Sequence, residues 1–399
     1  MKIKNLHIKE FKGLRDISIN FEKNDKPLDL VVLVGSNGSG KTRVLESILD
    51  YFQKIVNHIE NENVAGVFFE TDEQNCLNQG YNSNMLYLIL NNYNDENIVE
   101  RGRKVVEENL KVFPKIIYVP TETNFQKVEI ASPMLVREYK FLNIVDTGLI
   151  KDVPSYIATR IIEMANDQED TPMQEIRTAV FKEINEIFEI LDLDIKISGI
   201  SKNAKSIPIF TNSSGDKFDI NELSSGEKQL FLRTLAIKML NPENSIILID
   251  EPELSLHPKW QQRIVDVYRK IGKNNQIIIA THSPHILGSV KKDNIMLLDK
   301  DDDGKIVVRT GDELYDSYGQ PTERILEDIM GLKTTRNQEI FDKLEKIREM
   351  VNEDKYETDD FKKEYGDLKE ILGTMDEDIM LIDMEIQIRR KGLKNVKNK

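Results

Sequence analysis

The sequence predicts an α/β fold built around a central parallel sheet. Three short runs of Val, Leu and Ile each stop at polar residues, namely LVVLV at 30–34, IILI at 246–249 and IIIA at 277–280. Runs of this kind are typical of buried parallel strands, which carry polar side chains to their carboxyl ends. Segments with the apolar spacing of helices lie between them, so strands and helices alternate along the chain.

Composition limits the class of protein. The chain has 399 residues, 39% of them hydrophobic, which suffices for a full core. No run approaches the roughly 18 apolar residues of a membrane span, and the alternating start MKIKNLHIKEF is unlike a signal peptide. We therefore expect a cytoplasmic protein with no membrane partner. The net charge of −14 opposes indiscriminate coating of nucleic acid, and one cysteine with five histidines gives no basis for a disulfide or a structural zinc site.

The stretch LVGSNGSGKT has the spacing of a phosphate-binding loop. The strand at 30–34 is followed by G-x-x-x-x-G-K-T, and residues 43–56 continue with helical spacing. Glycines let the backbone curl until successive N–H groups face phosphate oxygens at the amino end of a helix. We expect Lys41 to reach the β and γ phosphates and Thr42 to place its hydroxyl on Mg²⁺. The predicted nucleotide-binding residues are Gly35, Ser36, Asn37, Gly38, Ser39, Gly40, Lys41 and Thr42.

Two carboxylates follow the second strand, in IILIDEPE. Asp250 ends the strand and is predicted to join Thr42 at the Mg²⁺ site, through the water shell of the ion. Glu251 stands one residue further along, where it faces the attacking water as general base or as the residue that positions it. A strand that ends in a solvated acidic turn is the alternative without chemistry, and the neighbouring phosphate-binding loop disfavours it.

Three further motifs complete a pattern that resembles the ABC-type ATPases. LSSGEKQ precedes a helical run, ELSLHP follows the carboxylates, and IIIATHSPHIL contains His282. The motifs stand in the order and at the spacing of that family. The resemblance implies ATP as the nucleotide, a signature motif that reaches a partner's ATP, a D-loop at 254–258, and His282 as a catalytic switch residue that senses the γ-phosphate. The signature residues are Leu223, Ser224, Ser225, Gly226 and Glu227, with Ser225 replacing the first glycine of the usual pair.

The amino terminus and the long middle segment resemble the SMC, RecF and OLD-type branch of this class. IKNLHIKEFKGLRDISINF alternates like a β-hairpin whose turn lies near residues 11–13. Transporter ATPases usually have a compact chain between the P-loop and the signature motif, with a clear glutamine loop, whereas about 180 residues intervene here. Gln126 is the candidate for that glutamine in contact with nucleotide, and Glu122 is the alternative.

The resemblance gives a fold class and four segments. The fold class is α/β, an ABC-type P-loop ATPase head with a mixed central sheet and a β-lobe, together with a helical insertion and a helical C-terminal tail. The segments are an amino-terminal ATPase lobe with a β-subdomain at 1–130, a mainly helical insertion at 131–215, a second ATPase lobe at 216–330 and a charged helical tail at 331–399.

Local patterns predict individual elements within these segments. Strands are expected at 64–70, 85–90 and 115–120. TPMQEIRTAVFKEINEIFEIL, at 171–191, predicts a helix of the insertion. Thr171 is expected to be its N-cap, with Gln174 completing a capping box.

The last third of the chain, which includes YGQPTERILEDIMGL, resembles small bacterial ATPases of phage defence and virulence, including the Septu PtuA type. Since one chain holds one P-loop and one signature motif, two chains should pack head to tail around two ATPs. The expected function is an ATP-hydrolysing switch that forms this homodimer and regulates a separate effector, such as a nuclease, in anti-phage defence, with DNA as a candidate trigger. A RecF-like or SMC-like DNA-repair ATPase and the nucleotide-binding subunit of a transporter are the alternatives.

Overall fold

The computed structural model describes residues 1–56, 64–65, 69–70, 114–121, 140–201, 207–301 and 303–397, with only the backbone described at 55–56, 64–65, 69–70 and 392–397. The strand expected at 85–90 and both glutamine-loop candidates, Gln126 and Glu122, lie outside these residues. By its contacts the chain divides into two compact units, Met1–Ile325 and Leu326–Lys399.

A seven-stranded mixed sheet forms the centre of the first unit. Its strands are β6 at Leu30–Val34, β9 at Ile116–Val119, β10 at Leu142–Ile144, β14 at Ile246–Asp250, β15 at Gln276–Ala280, β16 at Ile295–Lys300 and β17 at Ile306–Thr310. The strand order is β10-β9-β14-β15-β6-β16-β17, and every neighbouring pair is parallel except the hairpin of β16 and β17. All residues of β6, β9, β14 and β15 are buried, as expected of apolar strands covered on both faces. The predicted α/β class and mixed central sheet are confirmed.

Smaller sheets lie beside this one. The predicted amino-terminal hairpin is present, since β2 at Asn5–Phe11 pairs antiparallel with β3 at Leu14–Asn20. The hairpin packs on helix α1, at Lys41–Val56, and on the central strands in one apolar core that includes Ile8, Leu14 and Val44. The strands outside the central sheet are β1 at Lys2–Ile3, β2 at Asn5–Phe11, β3 at Leu14–Asn20, β4 at Glu22–Lys23, β5 at Lys26–Pro27, β7 at Val64–Ala65, β8 at Phe69–Glu70, β11 at Lys196–Ile200, β12 at Pro208–Thr211 and β13 at Lys217–Asp219, and helix α1 is at Lys41–Val56.

The other helices of the first unit follow its strands or form the segment before β11. They are α2 at Thr147–Ile150, α3 at Val153–Asp167, α4 at Met173–Phe188, α5 at Ser225–Met239, α6 at Pro258–Gln261, α7 at Ile264–Arg269 and α8 at Pro284–Leu287, and α9 at Thr322–Asp328 crosses the boundary between the units. No helix within the described residues is long and apolar enough to span a membrane.

The predicted cap of helix α4 is wrong. The helix begins at Met173, its N-cap is Pro172 with φ −56° and ψ 135°, and no side chain caps it. Thr171 instead closes a turn in the preceding segment, in which its N–H donates to Gln168 O at 3.0 Å. Proline itself accepts the helix-initiating bonds, because Pro172 O receives hydrogen bonds from the N–H groups of Glu175 and Ile176.

The second unit contains three helices with their own core. They are α10 at Gln338–Asn352, α11 at Asp359–Leu372 and α12 at Glu377–Lys397. Ten buried side chains form the core: Leu344, Ile347, Val351, Tyr356, Phe361, Tyr365, Leu368, Ile379, Ile382 and Ile386. Arg336 binds Asp376 through two hydrogen bonds and Asp378 at 2.8 Å, which ties the start of α12 to the segment before α10.

Candidate nucleotide site

The phosphate-binding loop joins the carboxyl end of β6 to α1. A Cβ on Gly35 would lie 2.2 Å from Leu298 O, and a Cβ on Gly40 would lie 2.6 Å from the Leu14 side chain. Gly40 also has φ 99°, a conformation that residues with a Cβ rarely adopt. Ser36, Asn37 and Gly38 are exposed at the tip of the loop, whereas Ser39 is buried. The loop thus needs glycine at two positions and presents its backbone at the tip.

Lys41 lies folded against the loop. Its Nζ donates hydrogen bonds to Gly35 O at 2.8 Å and to Ser36 O at 3.1 Å. Burial lowers the pKa of this ammonium group, and the charges of Glu251, Asp250 and Glu253 oppose that effect. An ammonium group held by two carbonyl oxygens over the loop is placed where phosphate oxygens would replace those carbonyls as partners.

Thr42 and Asp250 converge although they lie on different elements. Thr42 Oγ1 donates to Asp250 Oδ1 at 3.0 Å, and Thr121 Oγ1 donates to Asp250 Oδ2 at 2.7 Å. Burial raises the pKa of the Asp250 carboxyl, and the hydrogen bonds from Thr121 and Thr42 act in the opposite direction. A hydroxyl and a carboxylate side by side are hard oxygen donors that fit Mg²⁺, which usually takes one or two protein ligands with phosphates and water.

Glu251 and His282 form a polar pair at the same edge. His282 Nδ1 lies 3.2 Å from Glu251 Oε1, and both side chains are partly exposed. Glu251 has φ 44°, which is unusual for a residue other than glycine and requires support from its surroundings. The side chains of the pair are therefore open to a ligand at the carboxyl edge of the sheet, while the main chain of Glu251 depends on support from neighbouring residues.

Glu253 holds the segment that carries His282, and motif reasoning missed it. Its Oε1 accepts hydrogen bonds from Thr281 Oγ1 at 2.6 Å and from His282 N at 2.9 Å. The same oxygen lies 3.7 Å from His282 Nδ1. Glu253 is buried, so these bonds fix the position of His282 where the chain leaves β15.

Arg233 is the second residue that the motifs did not reveal. It lies on α5 and is 1% exposed. Its guanidinium group donates to three main-chain oxygens, Glu251 O at 3.2 Å, Pro120 O at 2.8 Å and Thr121 O at 2.9 Å. Burial lowers its pKa, and the charges of Tyr268, Asp250, Glu253 and Glu251 oppose this. The signal available in the sequence is a charged residue between the apolar residues of LFLRTLAIKML, directly after Leu230, Phe231 and Leu232.

The signature residues form the amino end of α5. Ser224 is the N-cap and makes a capping box with Glu227: Ser224 N donates to Glu227 Oε2 at 3.0 Å, and Glu227 N donates to Ser224 Oγ at 3.3 Å. Leu223 is buried and Ser225 is exposed. A Cβ on Gly226 would lie 2.6 Å from Ser255 O, so this glycine lets the signature backbone pack against the D-loop.

The structure thus brings together some of the predicted residues and not others. Lys41, Thr42, Asp250, Glu251 and His282 meet at the carboxyl edge of the sheet. Within the described residues, no hydrogen bond or ion pair joins 223–227 to the phosphate-binding loop. Gln126 lies outside the described residues, so its place relative to the site stays a prediction.

The fold and the site together define a P-loop ATPase whose motif order resembles that of SMC and ABC proteins. Two family models match: "AAA ATPase domain" over residues 1–141 and "AAA domain, putative AbiEii toxin, Type IV TA system" over residues 128–288. Among curated proteins, the chain is similar to the Septu protein PtuA of Bacillus thuringiensis, at 28% identity over 386 residues that cover 88% of this chain and 91% of that protein. The predicted ATPase activity and the predicted resemblance to Septu-type ATPases are confirmed.

Other similar proteins include further ATPases. The Retron Vc95 probable ATPase of Vibrio cholerae serotype O1 biovar El Tor is 23% identical, with 75% of this chain and 74% of that protein covered. The DNA double-strand break repair Rad50 ATPase of Sulfolobus acidocaldarius is 31% identical over 119 residues, which are 29% of this chain and 13% of that protein. A solved SMC head bound to the C-winged helix domain of ScpA aligns with TM-score 0.45 and 16% identity, covering 78% of this chain and 99% of that chain. The fold class rests on the strand order and the site, which need no such alignment.

Proposed function

We propose that the protein is an ATP-driven switch in which two copies close head to tail around two ATPs and, in that state, control a separate effector. ATP binds at the phosphate-binding loop of one copy and meets the signature motif of the other. Hydrolysis then releases the two copies. The ATP-bound dimer is the active signal, and the rate of hydrolysis sets how long the signal lasts.

One observation carries this proposal: within the described residues, no hydrogen bond or ion pair joins the signature residues to the phosphate-binding loop of their own chain. Lys41, Thr42 and Glu251 gather at one edge, whereas Ser224 and Glu227 bond to each other and Gly226 packs on the D-loop. Ser224 to Glu227 also form a helix amino end, where backbone N–H groups and the helix dipole favour an anion. A two-fold arrangement of two copies would bring the amino end of α5 to the phosphates bound by the other copy, and it would require no further helix or strand.

The roles of the residues follow from their positions. Lys41 exchanges the carbonyls of Gly35 and Ser36 for phosphate oxygens, and the backbone of the loop supplies further donors. Thr42 and Asp250 would hold Mg²⁺, which would supply positive charge to the phosphates. Glu251 orients the attacking water or accepts its proton, and His282, held by Glu253, contacts the γ-phosphate.

The separate effector is inferred from similarity to other proteins. The similarity to Septu PtuA runs over most of both chains, and we propose that this protein likewise serves phage defence, with a nuclease as the controlled partner. DNA is the trigger to be tested first, by its effect on the rate of ATP hydrolysis.

The proposal is tested with Glu251→Gln, which keeps the shape of the side chain and removes the carboxylate. Turnover should fall by about 10²- to 10⁴-fold while ATP still binds. The sedimentation mass of this variant should therefore double with Mg·ATP and stay unchanged with Mg·ADP. Glu175→Gln, at an exposed position of α4, should leave turnover and mass unchanged.

A second variant separates nucleotide binding from hydrolysis. Lys41→Ala combined with Glu251→Gln should not change mass with Mg·ATP, because the loop loses its ammonium group. If the mass of Glu251→Gln alone is the same with and without Mg·ATP, the ATP-dependent dimer is refuted. Near-normal turnover of Glu251→Gln would refute the role given to its carboxylate.

The short similarity to Rad50 favours a DNA-repair ATPase as the second candidate function. Such a protein should bind duplex DNA in an ATP-dependent manner, with an affinity that falls steeply as salt is raised. Stable duplex binding with no effect on any nuclease partner would favour this function over the defence switch.

A further inference from the structure

Helix α12 carries apolar side chains on two opposite faces. Ile379, Ile382 and Ile386 point into the core of the second unit. Leu381, Met384 and Ile388 lie on the other side of the same helix and are 60%, 57% and 67% exposed. An amphipathic surface helix needs only one apolar face, so the second face is available for a contact outside the chain.

The exposed face has charged ends of opposite sign. Glu377 precedes the apolar side chains, and Lys391 follows them, each seven residues from Met384. Residues 377, 381, 384, 388 and 391 are spaced four, three, four and three apart, which is the a/d spacing of a helical seam. Both charged residues are exposed, and neither has an ion-pair partner among the residues that the structure describes.

We propose that this seam, defined as Glu377, Leu381, Met384, Ile388 and Lys391, pairs antiparallel with the same seam of a second copy of the chain. Antiparallel pairing about a two-fold axis at Met384 places Glu377 opposite Lys391 of the second copy, at both ends of the contact. Leu381 lies three residues before Met384 and Ile388 lies four residues after it, so each of them meets the other across the axis with an offset of one residue. A surface that is complementary to itself in shape and charge is what an isologous dimer contact requires.

Stabilisation of the helix dipole by the charged residues accounts for only part of the pattern. Acidic residues at the start of a helix and basic residues at its end stabilise the helix dipole in any surroundings. That effect does not require the charges to share a face, and it gives no reason for three large apolar side chains to stand exposed between them. Methionine at the centre suits a contact between identical surfaces, since its flexible side chain adapts to its own copy.

This contact is distinct from the ATP-dependent dimer. The seam belongs to the second unit and contains no residue of the nucleotide site, so it should form without nucleotide. With both contacts available, two ATP-closed dimers can be joined into a larger assembly.

The first experiment measures sedimentation mass without nucleotide over a range of protein concentrations. The wild-type chain should form dimers with a dissociation constant on the order of 1–100 μM. Met384→Glu should shift the protein to monomer, since it places two carboxylates against each other at the axis. Met375→Glu is the matched control, because Met375 is 83% exposed and lies outside the seam. A wild-type chain that stays monomeric at the highest concentration, or a Met384→Glu dimer as stable as the wild type, would overturn the proposal.

The second experiment tests the antiparallel register. Glu377→Lys and Lys391→Glu should each weaken the dimer at least tenfold, and the double variant should restore wild-type association because the opposed pairs are recreated. Single variants that weaken the dimer with no recovery in the double variant would rule out this register. In a Met384→Glu, Glu251→Gln background the mass should still double with Mg·ATP, so failure of the seam and failure of the ATP switch are read separately.

Discussion

The guanidinium group of Arg233 donates a hydrogen bond to the main-chain oxygen of Glu251, which stands in a left-handed conformation at the end of β14. The same group binds Pro120 O and Thr121 O at the end of β9. Arg233 belongs to α5, whose first turn is the signature motif. Arg233 therefore connects the helix that begins with the signature residues to the main chain of Glu251, the residue that we propose positions water.

Arg233→Lys tests this link. Lysine keeps the charge but lacks the planar fork that reaches several carbonyl oxygens at once. We expect kcat for ATP hydrolysis to fall about 10²-fold, since a displacement of about 1 Å at a reacting group costs that much. The KM for ATP should change less than about threefold, because Lys41 and the loop are untouched. Steady-state phosphate release against ATP concentration measures both quantities.

Arg263→Lys is the matched control for that variant. Arg263 also donates to a main-chain oxygen, Ile190 O at 2.9 Å, but it is exposed and lies away from Glu251. Its kcat should stay near that of the wild type. A raised KM with unchanged kcat in Arg233→Lys would contradict a positioning role and indicate general loosening of the fold.

Glu253 is expected to act through its hydrogen bonds to Thr281 and His282 and not through its charge. Glu253→Gln keeps an acceptor oxygen in the same place, so turnover should stay within about fivefold of the wild type. Glu253→Ala removes the acceptor and should lower kcat about 10²-fold. In a His282→Ala background the further loss from Glu253→Ala should nearly vanish, since coupled residues are not additive. Equal losses in both backgrounds would show that Glu253 acts independently of His282.

Sequence patterns identified the parts of the site that are local. The strand, glycine loop and helix at 30–56 are contiguous, so their spacing alone predicts them. Asp250 was reached in the same way, from a buried strand that ends in acids. The contact between Thr42 and Asp250 spans 208 positions, and only the shared edge of a parallel sheet made it predictable.

Positions that depend on packing between distant segments were not predictable. Arg233 meets Thr121 across 112 positions, and no spacing rule relates them. Thr171 failed as a cap because it belongs to a turn closed on Gln168, and the helix begins one residue later than expected, at Met173. The charged tail was expected to be helical, but its core of ten side chains depends on three helices meeting, which periodicity within one helix does not reveal.

Thr42 is expected to bind Mg²⁺ through its hydroxyl. Thr42→Val removes the hydroxyl and keeps the branched shape, so the Mg²⁺ concentration for half-maximal turnover should rise about 10- to 100-fold, the scale seen when support of a metal site is lost. Thr42→Ser retains the hydroxyl and should stay close to the wild type. Titration of Mg²⁺ at saturating ATP makes the measurement, and an unchanged Mg²⁺ requirement in Thr42→Val would remove Thr42 from the metal site.

Lys115 makes stability depend on pH in the alkaline range. The side chain is fully buried just before β9, and burial lowers its pKa to about 8, against an opposing effect of Glu243. In the unfolded chain the pKa of Lys115 has its ordinary value of 10.5. Between pH 8 and 10.5 the unfolded state therefore binds more protons than the folded state. The contribution of Lys115 to the free energy of unfolding therefore becomes less unfavourable as pH rises through that window. Below pH 8 the full cost of burying the charged Lys115 side chain is present.

Lys115→Met is expected to remove this penalty, because methionine fills a similar volume without a charge. One pKa unit corresponds to about 1.4 kcal/mol, so at pH 7 the free energy of unfolding of the variant should exceed that of the wild type by at most about 3 kcal/mol. This difference should shrink towards pH 10. Denaturant unfolding of both proteins at pH 7, 8, 9 and 10 measures the difference, in which all other titrating groups cancel. Lys140→Met, at an exposed position, should give a difference that does not vary with pH. Parallel curves for Lys115→Met and the wild type would show that Lys115 keeps an ordinary pKa in the folded protein.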